Sequence, residues 1–404
     1  MEGSQQRTKL AVNQLLGGIN VFKGFMDHWV PTAQGYSEFW KQDFETAARI
    51  LDELREDVDF DHFTFYTKWY TNGIRSRLPY LYNHPEASNV KTDNEWGRKL
   101  IDHLRAKGIS VGSMIQFLTY EQQCWEPDLT IDEWDVRNCA ETEQPIQIAD
   151  FTDPRFQVRV KEIVKEQLEQ FPALDYLFME FEGVKAEALE ALYERLVRER
   201  NPAVGESGEA AQSLRYTAAA LEHCARIGVT PSFLWSEEAA GMLRHYYSLN
   251  LQAVRDAVTE VGYRGAVGVV IYSYGYETLI YPDVIPDPDW WLLPWCYWVW
   301  EKSSPAVDGR MAVSKELMAR WKQEGRKVCY IGDVTIAFDE SDPEFKEAAI
   351  RDFYAFSQEV KLDGYLGMGN PVPEMGLKWL ITDECVSDMR KLYRELYGAG
   401  RSLS

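Results

Sequence analysis

The chain has 404 residues, 45% hydrophobic and 26% charged, with a formal net charge of -21. This is a globular composition, and its acidity makes nucleic acid and anionic membrane surfaces poor partners. No stretch approaches the roughly 18 uncharged apolar residues that a membrane span needs.

Residues 1–18 lack a basic region followed by a long apolar run and a cleavage site, so no export signal is expected. Cys124, Cys139, Cys224, Cys296, Cys329 and Cys385 are irregularly spaced, with no Cys-x-x-Cys pair. They read as reduced thiols in a cytoplasmic protein.

Apolar, strand-like runs alternate with helical patterns along the whole chain. The first run is Leu15 to Phe25, followed by a helix near Ser37–Glu56. The second is Phe60 to Thr67, with a helix at Asn94–Lys107 behind it; Gly108 is a helix-stop signal. The third run, Ile109 to Tyr120, opens into a long acidic segment, Glu121–Gln147. Asp153-Pro154 then starts a helix over Arg155–Gln170, which feeds the fourth run, Leu174 to Gly183. A helix near Gly208–Ile227 precedes a fifth run, Val229 to Trp235, and a helix at Leu249–Val261 precedes a sixth, Ala266 to Glu277. A second excursion, Thr278–Gly309, carries four tryptophans at helical spacing and reads as an extra helix after Pro288. The helix Met311–Gln323 leads to the seventh run, Arg326 to Phe338, and the helix Pro343–Val360 to the eighth, Leu362 to Asn370. A helix at Asp383–Tyr397 closes the chain.

Eight strand-then-helix units with continuously apolar strands predict an α/β fold, a (β/α)8 TIM barrel spanning 1–404 as one domain. Extended loops after strands three and six would wall the cleft. A doubly wound sheet is the alternative, but no Gly-x-Gly-x-x-Gly follows the first strand.

The fourth run, LDYLFMEFEG, carries the chemistry. Side chains alternate along a strand, so Phe178, Glu180 and Glu182 share a face. Two such carboxylates at a buried strand end raise each other's proton affinity, as burial also does. Acid/base work on a glycosidic bond uses carboxyl pairs of this kind. The plainer reading is a strand-end pair held by a lysine or arginine.

A barrel presents its site at the carboxyl ends of its strands. Those ends supply Asp27, His28, Lys68, Trp69, Gln116, Tyr120, Trp235, Glu237, Tyr272, Tyr274, Asp333 and Asn370. Carboxylates, amides and aromatic faces are what a carbohydrate cleft requires. A rim aromatic is as readily a packing residue. Histidine clusters and phosphate-cradling loops are absent from the sequence, so no cofactor, metal or nucleotide is expected to be needed.

In spacing, Asp175-x-x-Phe178-x-Glu180-x-Glu182 resembles the strand-four Asp-x-x-Asp-x-Asp-x-Glu of the chitinase-like glycoside hydrolases. The resemblance implies Glu182 as general acid and Glu180 as the carboxylate that orients a substrate N-acetyl group toward the anomeric carbon. Phe178 stands where that family has an acid, Glu180 where it has Asp, and no tryptophan ends strand eight. The helix and strand over residues 152–183 also look like those of other barrel glycosidases.

The expectation is a glycoside hydrolase acting on a small glycoside or oligosaccharide, with Asp333 or Glu237 as the alternative second carboxylate. Two competing readings are a barrel isomerase or lyase on a sugar acid with a divalent metal, and a sugar-binding barrel without chemistry.

Overall fold

A computed structural model describes residues 9–11, 43–57, 62–68, 72–74, 77–78, 89–91, 94–117, 129–133, 146–181, 186–204, 214–272, 275–281, 283–296, 305–332, 352, 355–357 and 359–367. In chain order the strands are β1 (Lys9–Ala11), β2 (His62–Lys68), β3 (Asn72–Ile74), β4 (Asn89–Lys91), β5 (Ser110–Gln116), β6 (Thr130–Glu133), β7 (Ile146–Ala149), β8 (Tyr176–Glu180), β9 (Ala266–Tyr272), β10 (Trp291–Cys296), β11 (Cys329–Gly332) and β12 (Gly364–Gly367). The helices are α1 (Phe44–Asp57), α2 (Asn94–Ala106), α3 (Pro154–Gln170), α4 (Ala186–Arg198), α5 (Ala218–Ile227), α6 (Glu237–Val261) and α7 (Pro305–Gln323). Among the described residues no helix is long and apolar enough to cross a membrane.

The main sheet runs β1-β12-β11-β10-β9-β8-β5-β2, every neighbouring pair parallel, and β3 and β4 extend it beyond β2. The chain's first strand therefore pairs with its last, Lys9 opposite Gly364. Helices cover the outer face: Gln167 of α3 reaches the outward Ser113 of β5 (3.0 Å). The inner face is filled by Tyr176, Phe178, Trp291 and the ring of His62, which is held between Ser110 Oγ (2.8 Å) and Thr64 Oγ1 (2.5 Å).

Local signals act as expected in the first half. Gly108 ends α2 at φ 75°, a conformation that favours glycine. Asp153 caps α3 by accepting from Arg155 N–H (2.8 Å), with Pro154 in the first turn. The excursion after β5 contains the antiparallel pair β6–β7. Arg195 of α4 ties its end down, bonding Asp150 Oδ2 and Thr152 Oγ1 at 2.6 Å each.

The second half departs from expectation. Val229–Trp235 is no strand: Phe233–Trp235 is a 3-10 turn, and Ser236 caps α6 by accepting from Ala239 N–H. A capping serine followed by two acids is a helix start, and Pro231 already argues against a central strand. The fifth strand of the parallel run is Ala266–Tyr272, and the sixth is Trp291–Cys296, where the sequence suggested a helix. Pro294 does not prevent this. Its ladder with β9 is unbroken from Trp291 to Trp295, whereas toward β11 only Leu292 pairs with Val328 before pairing resumes at Trp295. The gap falls where proline has no N–H to give. The long excursion expected after strand six, Thr278–Gly309, thus contains a strand, β10, and the first turn of α7. Among the described residues only the 3-10 helix Tyr276–Leu279 lies between β9 and β10, and α5 packs on α7, joined by Arg226–Glu316 (2.7 Å). The first-strand expectation, Leu15–Phe25, lies outside the described residues; the place beside β12 is taken by Lys9–Ala11.

Candidate active site

Glu180 is the last residue of β8 and is 3% exposed. Its backbone is fixed by Phe117, whose N–H donates to Glu180 O (3.0 Å), and Gln116, also buried, lies opposite it on β5. The Tyr272 hydroxyl donates to Glu180 Oε1 at 3.0 Å. Tyr272 ends β9, and its ring stacks on Trp295 of β10, opposite it in register, with centroids 5.6 Å apart and planes 15° apart. Four adjacent strands thus bring an amide, a carboxyl, a phenol and an indole to their carboxyl ends. A buried carboxyl beside an aromatic stack can exchange a proton with, or brace charge on, a ring seated against those faces.

Phe178 explains the floor beneath Glu180. It shares that face, packs edge-on against His62 (6.3 Å) and lies over Gly268 of β9. A Cβ on Gly268 would stand 2.9 Å from Phe178 Cδ1 and 2.5 Å from Leu293 Cδ1. The phenylalanine fits because its neighbour has no side chain. Asp175, the first acid of the spaced motif, sits at the opposite end of the strand. There it pairs with Arg105 (2.6 Å) and accepts from Val111 N–H (2.9 Å).

Two further expectations need correction. Trp235 and Glu237 are not at a strand end. Glu237 lies in the first turn of α6, 3.5 Å from Arg215, and the neighbouring Glu238 binds the same arginine at 2.7 Å. That arginine holds the Glu238 carboxyl below its usual range against the opposing effect of burial. An exposed, paired glutamate on a helix has lost the expected strand-end position. Trp235 is buried, tilted against His223 (5.1 Å) and edge-on to Tyr276 (6.5 Å). Lys68 ends β2. Asp27, His28, Trp69, Tyr120, Glu182, Tyr274, Asp333 and Asn370 lie outside the described residues.

Two further residues belong with this site: Trp295, which the sequence placed in a packing set, and Glu277, an acid at the end of the sixth run. Trp295 carries the stack under Tyr272; it was hidden in a run whose spacing imitates a helix. Glu277, five residues past Tyr272, is 3% exposed, and burial pushes its carboxyl up to about 7.

No family model and no curated protein matches this chain. Among solved structures, it is similar to a β-N-acetylhexosaminidase at 8% identity and a TM-score of 0.51, over 89% of this chain and 70% of the other. It is similar to a cold-adapted β-galactosidase from Rahnella sp. R3 at 9% identity and a TM-score of 0.50, over 98% of this chain and 57% of the other. An exo-β-N-acetylglucosaminidase from Vibrio harveyi aligns over 91% of this chain and 57% of its own, at 11% identity and a TM-score of 0.47. The chain thus spans little more than half the length of the last two enzymes. At these identities the likeness is one of fold: a parallel α/β architecture of the kind that glycoside hydrolases use.

Proposed function

We propose that the chain is a (β/α)8-barrel glycoside hydrolase acting on a small glycoside, with Glu180 and Glu182 as its working carboxyls. The observation that carries this reading is the buried Glu180 at the end of β8, bonded by Tyr272, whose ring is stacked on Trp295. The strand order supports a closed barrel, since β1 pairs with β12 and also comes within 8 Å of β2, Cα to Cα.

In this mechanism Glu182, two residues beyond Glu180 in sequence, protonates the leaving oxygen as the glycosidic bond breaks. Glu180, held by Tyr272, acts at the sugar ring, either on a substrate acetamido group or by stabilising positive charge as it develops. Asp333 follows directly on β11, two strands beyond β9, and is the alternative nucleophile or base. Tyr272, half-buried over the buried Trp295, offers an aromatic face against which a sugar ring can lie. Carbohydrate is the partner this site requires.

A panel of p-nitrophenyl glycosides, N-acetylated sugars included, tests the reading. Turnover of at least one, abolished in Glu182→Gln with the fold intact, is expected. Binding of sugars without turnover across the panel would sink it in favour of a non-catalytic barrel.

A further inference from the structure

We infer that Glu277 is a positioning residue: as a neutral acid it clamps the turn that sets Tyr272 against Glu180, and its ionisation releases that turn. The inference rests on the glycosidase reading only for its effect on rate; the clamp itself is a property of the fold.

Three residues beyond Tyr272 the backbone bonds back to it. Gly275 N–H donates to Tyr272 O (3.0 Å), and Gly275 O accepts from both Thr278 N–H (3.2 Å) and Thr278 Oγ1 (2.9 Å). Glu277 O takes the amides of Ile280 (3.0 Å) and Tyr281 (2.9 Å). The Glu277 carboxyl then lies over Gly275 so closely that a Cβ there would stand 2.1 Å from Oε2 and 3.3 Å from Tyr272 Cβ. The carboxyl, Gly275 and Tyr272 are one packed unit.

The titratable groups around the carboxyl are phenols from each element that packs there. Tyr276 hydrogen-bonds to it from the same 3-10 helix, Tyr281 follows that helix, Tyr272 of β9 meets the same glycine, and Tyr247 of α6 packs on Tyr281 behind them. The Tyr247 and Tyr281 rings are 6.1 Å apart, and Tyr281 is itself buried and resists ionisation. Among the described residues no cation is seen to offset a charge on Glu277. A carboxylate formed in such surroundings leaves them for water. Moving it undoes the packing on Gly275 and slackens the bond from Tyr272 to Glu180.

The test uses the whole chain, Glu277→Gln as the isostere of the neutral acid, and two readouts. The first is kcat/KM against pH on whichever p-nitrophenyl glycoside is turned over. Wild type is expected to lose rate above about pH 7, and Glu277→Gln to move that loss at least about one unit upward. The second needs no substrate: the near-ultraviolet circular dichroism of the Tyr272 phenol in its stack on Trp295, taken as wild type minus Tyr272→Phe. It is expected to change with a midpoint near 7 in wild type and to stay flat in the Glu277→Gln background. That result supports the clamp even when every glycoside is refused, which would remove the glycosidase reading alone. A stack signal that ignores pH in wild type overturns the clamp, whatever the activity. Should Glu277→Gln not fold, Gly275→Ala presses a methyl group onto the same carboxyl; an unshifted midpoint there overturns the proposal equally.

Discussion

Tyr272 and Glu180 stand on neighbouring parallel strands, and the phenol donates to Glu180 Oε1 across 3.0 Å. Hydrogen bonds to charged groups are worth about 1.5–3 kcal/mol when desolvated. Tyr272→Phe keeps the ring, and so the stack on Trp295, but removes the donor. Its kcat/KM is expected to fall about ten- to a hundredfold, through kcat. A rise in KM alone would mean that Tyr272 serves binding, not the carboxyl.

The same pair shows what was legible in advance. Alternation along LDYLFMEF places Phe178 and Glu180 on one face, and an apolar run ending in acids marks a buried strand with a polar mouth. Both inferences agree with the packing of Phe178 on His62 and the burial of Glu180. The partner of Glu180 was harder, because Tyr272 becomes its neighbour only when β9 is fifth in the parallel order. A continuous apolar run such as WLLPWC carries no period and is settled by its neighbours, here Gly268 and Val269 of β9. Ser236 was the missed local signal: as a cap it converts the expected fifth strand into the start of α6. Glu277 was visible as a strand-end acid, but only burial distinguishes it from the solvated acids elsewhere in so acidic a chain.

The carboxyls of Glu180 and Glu182 are expected to separate by leaving group. Glu182→Gln should lower turnover by about 10²–10⁴, the usual worth of a positioned acid, and the loss should shrink on aryl glycosides with good leaving groups. Glu180→Gln should slow good and poor leaving groups alike, as expected of the proposed role at the ring. Steady-state rates on a series of substituted phenyl glycosides measure both. Wild-type rates in both variants would move attention to Asp333.

Glu277 ties stability to pH. Its carboxyl is raised from 4.5 to about 7 in the folded chain by burial. The native state therefore holds a proton that the unfolded chain releases between these values. The stabilisation is complete below about pH 4.5 and is lost as pH rises to about 7, a change on the order of 3 kcal/mol. Urea unfolding across this window, wild type against Glu277→Gln, isolates the contribution, since the glutamine has no proton to lose. Parallel curves for the two proteins would show that the carboxyl is solvated.

Gly268 is where the floor of the site is most exposed to error. A methyl group there would stand 2.5 Å from Leu293 Cδ1, 2.9 Å from Phe178 Cδ1 and 3.0 Å from Trp291 Cβ. Three parallel strands meet at this point, with Leu293 and Phe178 both buried, so Gly268→Ala is expected to cost about 1–3 kcal/mol as overpacking. Phe178→Leu alone leaves a partial cavity and is expected to destabilise as well. Together the two should cost less than their sum, by about 0.5–3 kcal/mol, because the smaller side chain vacates the space that the methyl group takes. Phe178 and Glu180 are two residues apart on one face, so the strain in Gly268→Ala should also reach the carboxyl and lower kcat, with the double variant recovering part of it. Urea midpoints and kcat for the four proteins complete the cycle. Strict additivity of both would mean that Gly268 and Phe178 do not share the space beneath Glu180.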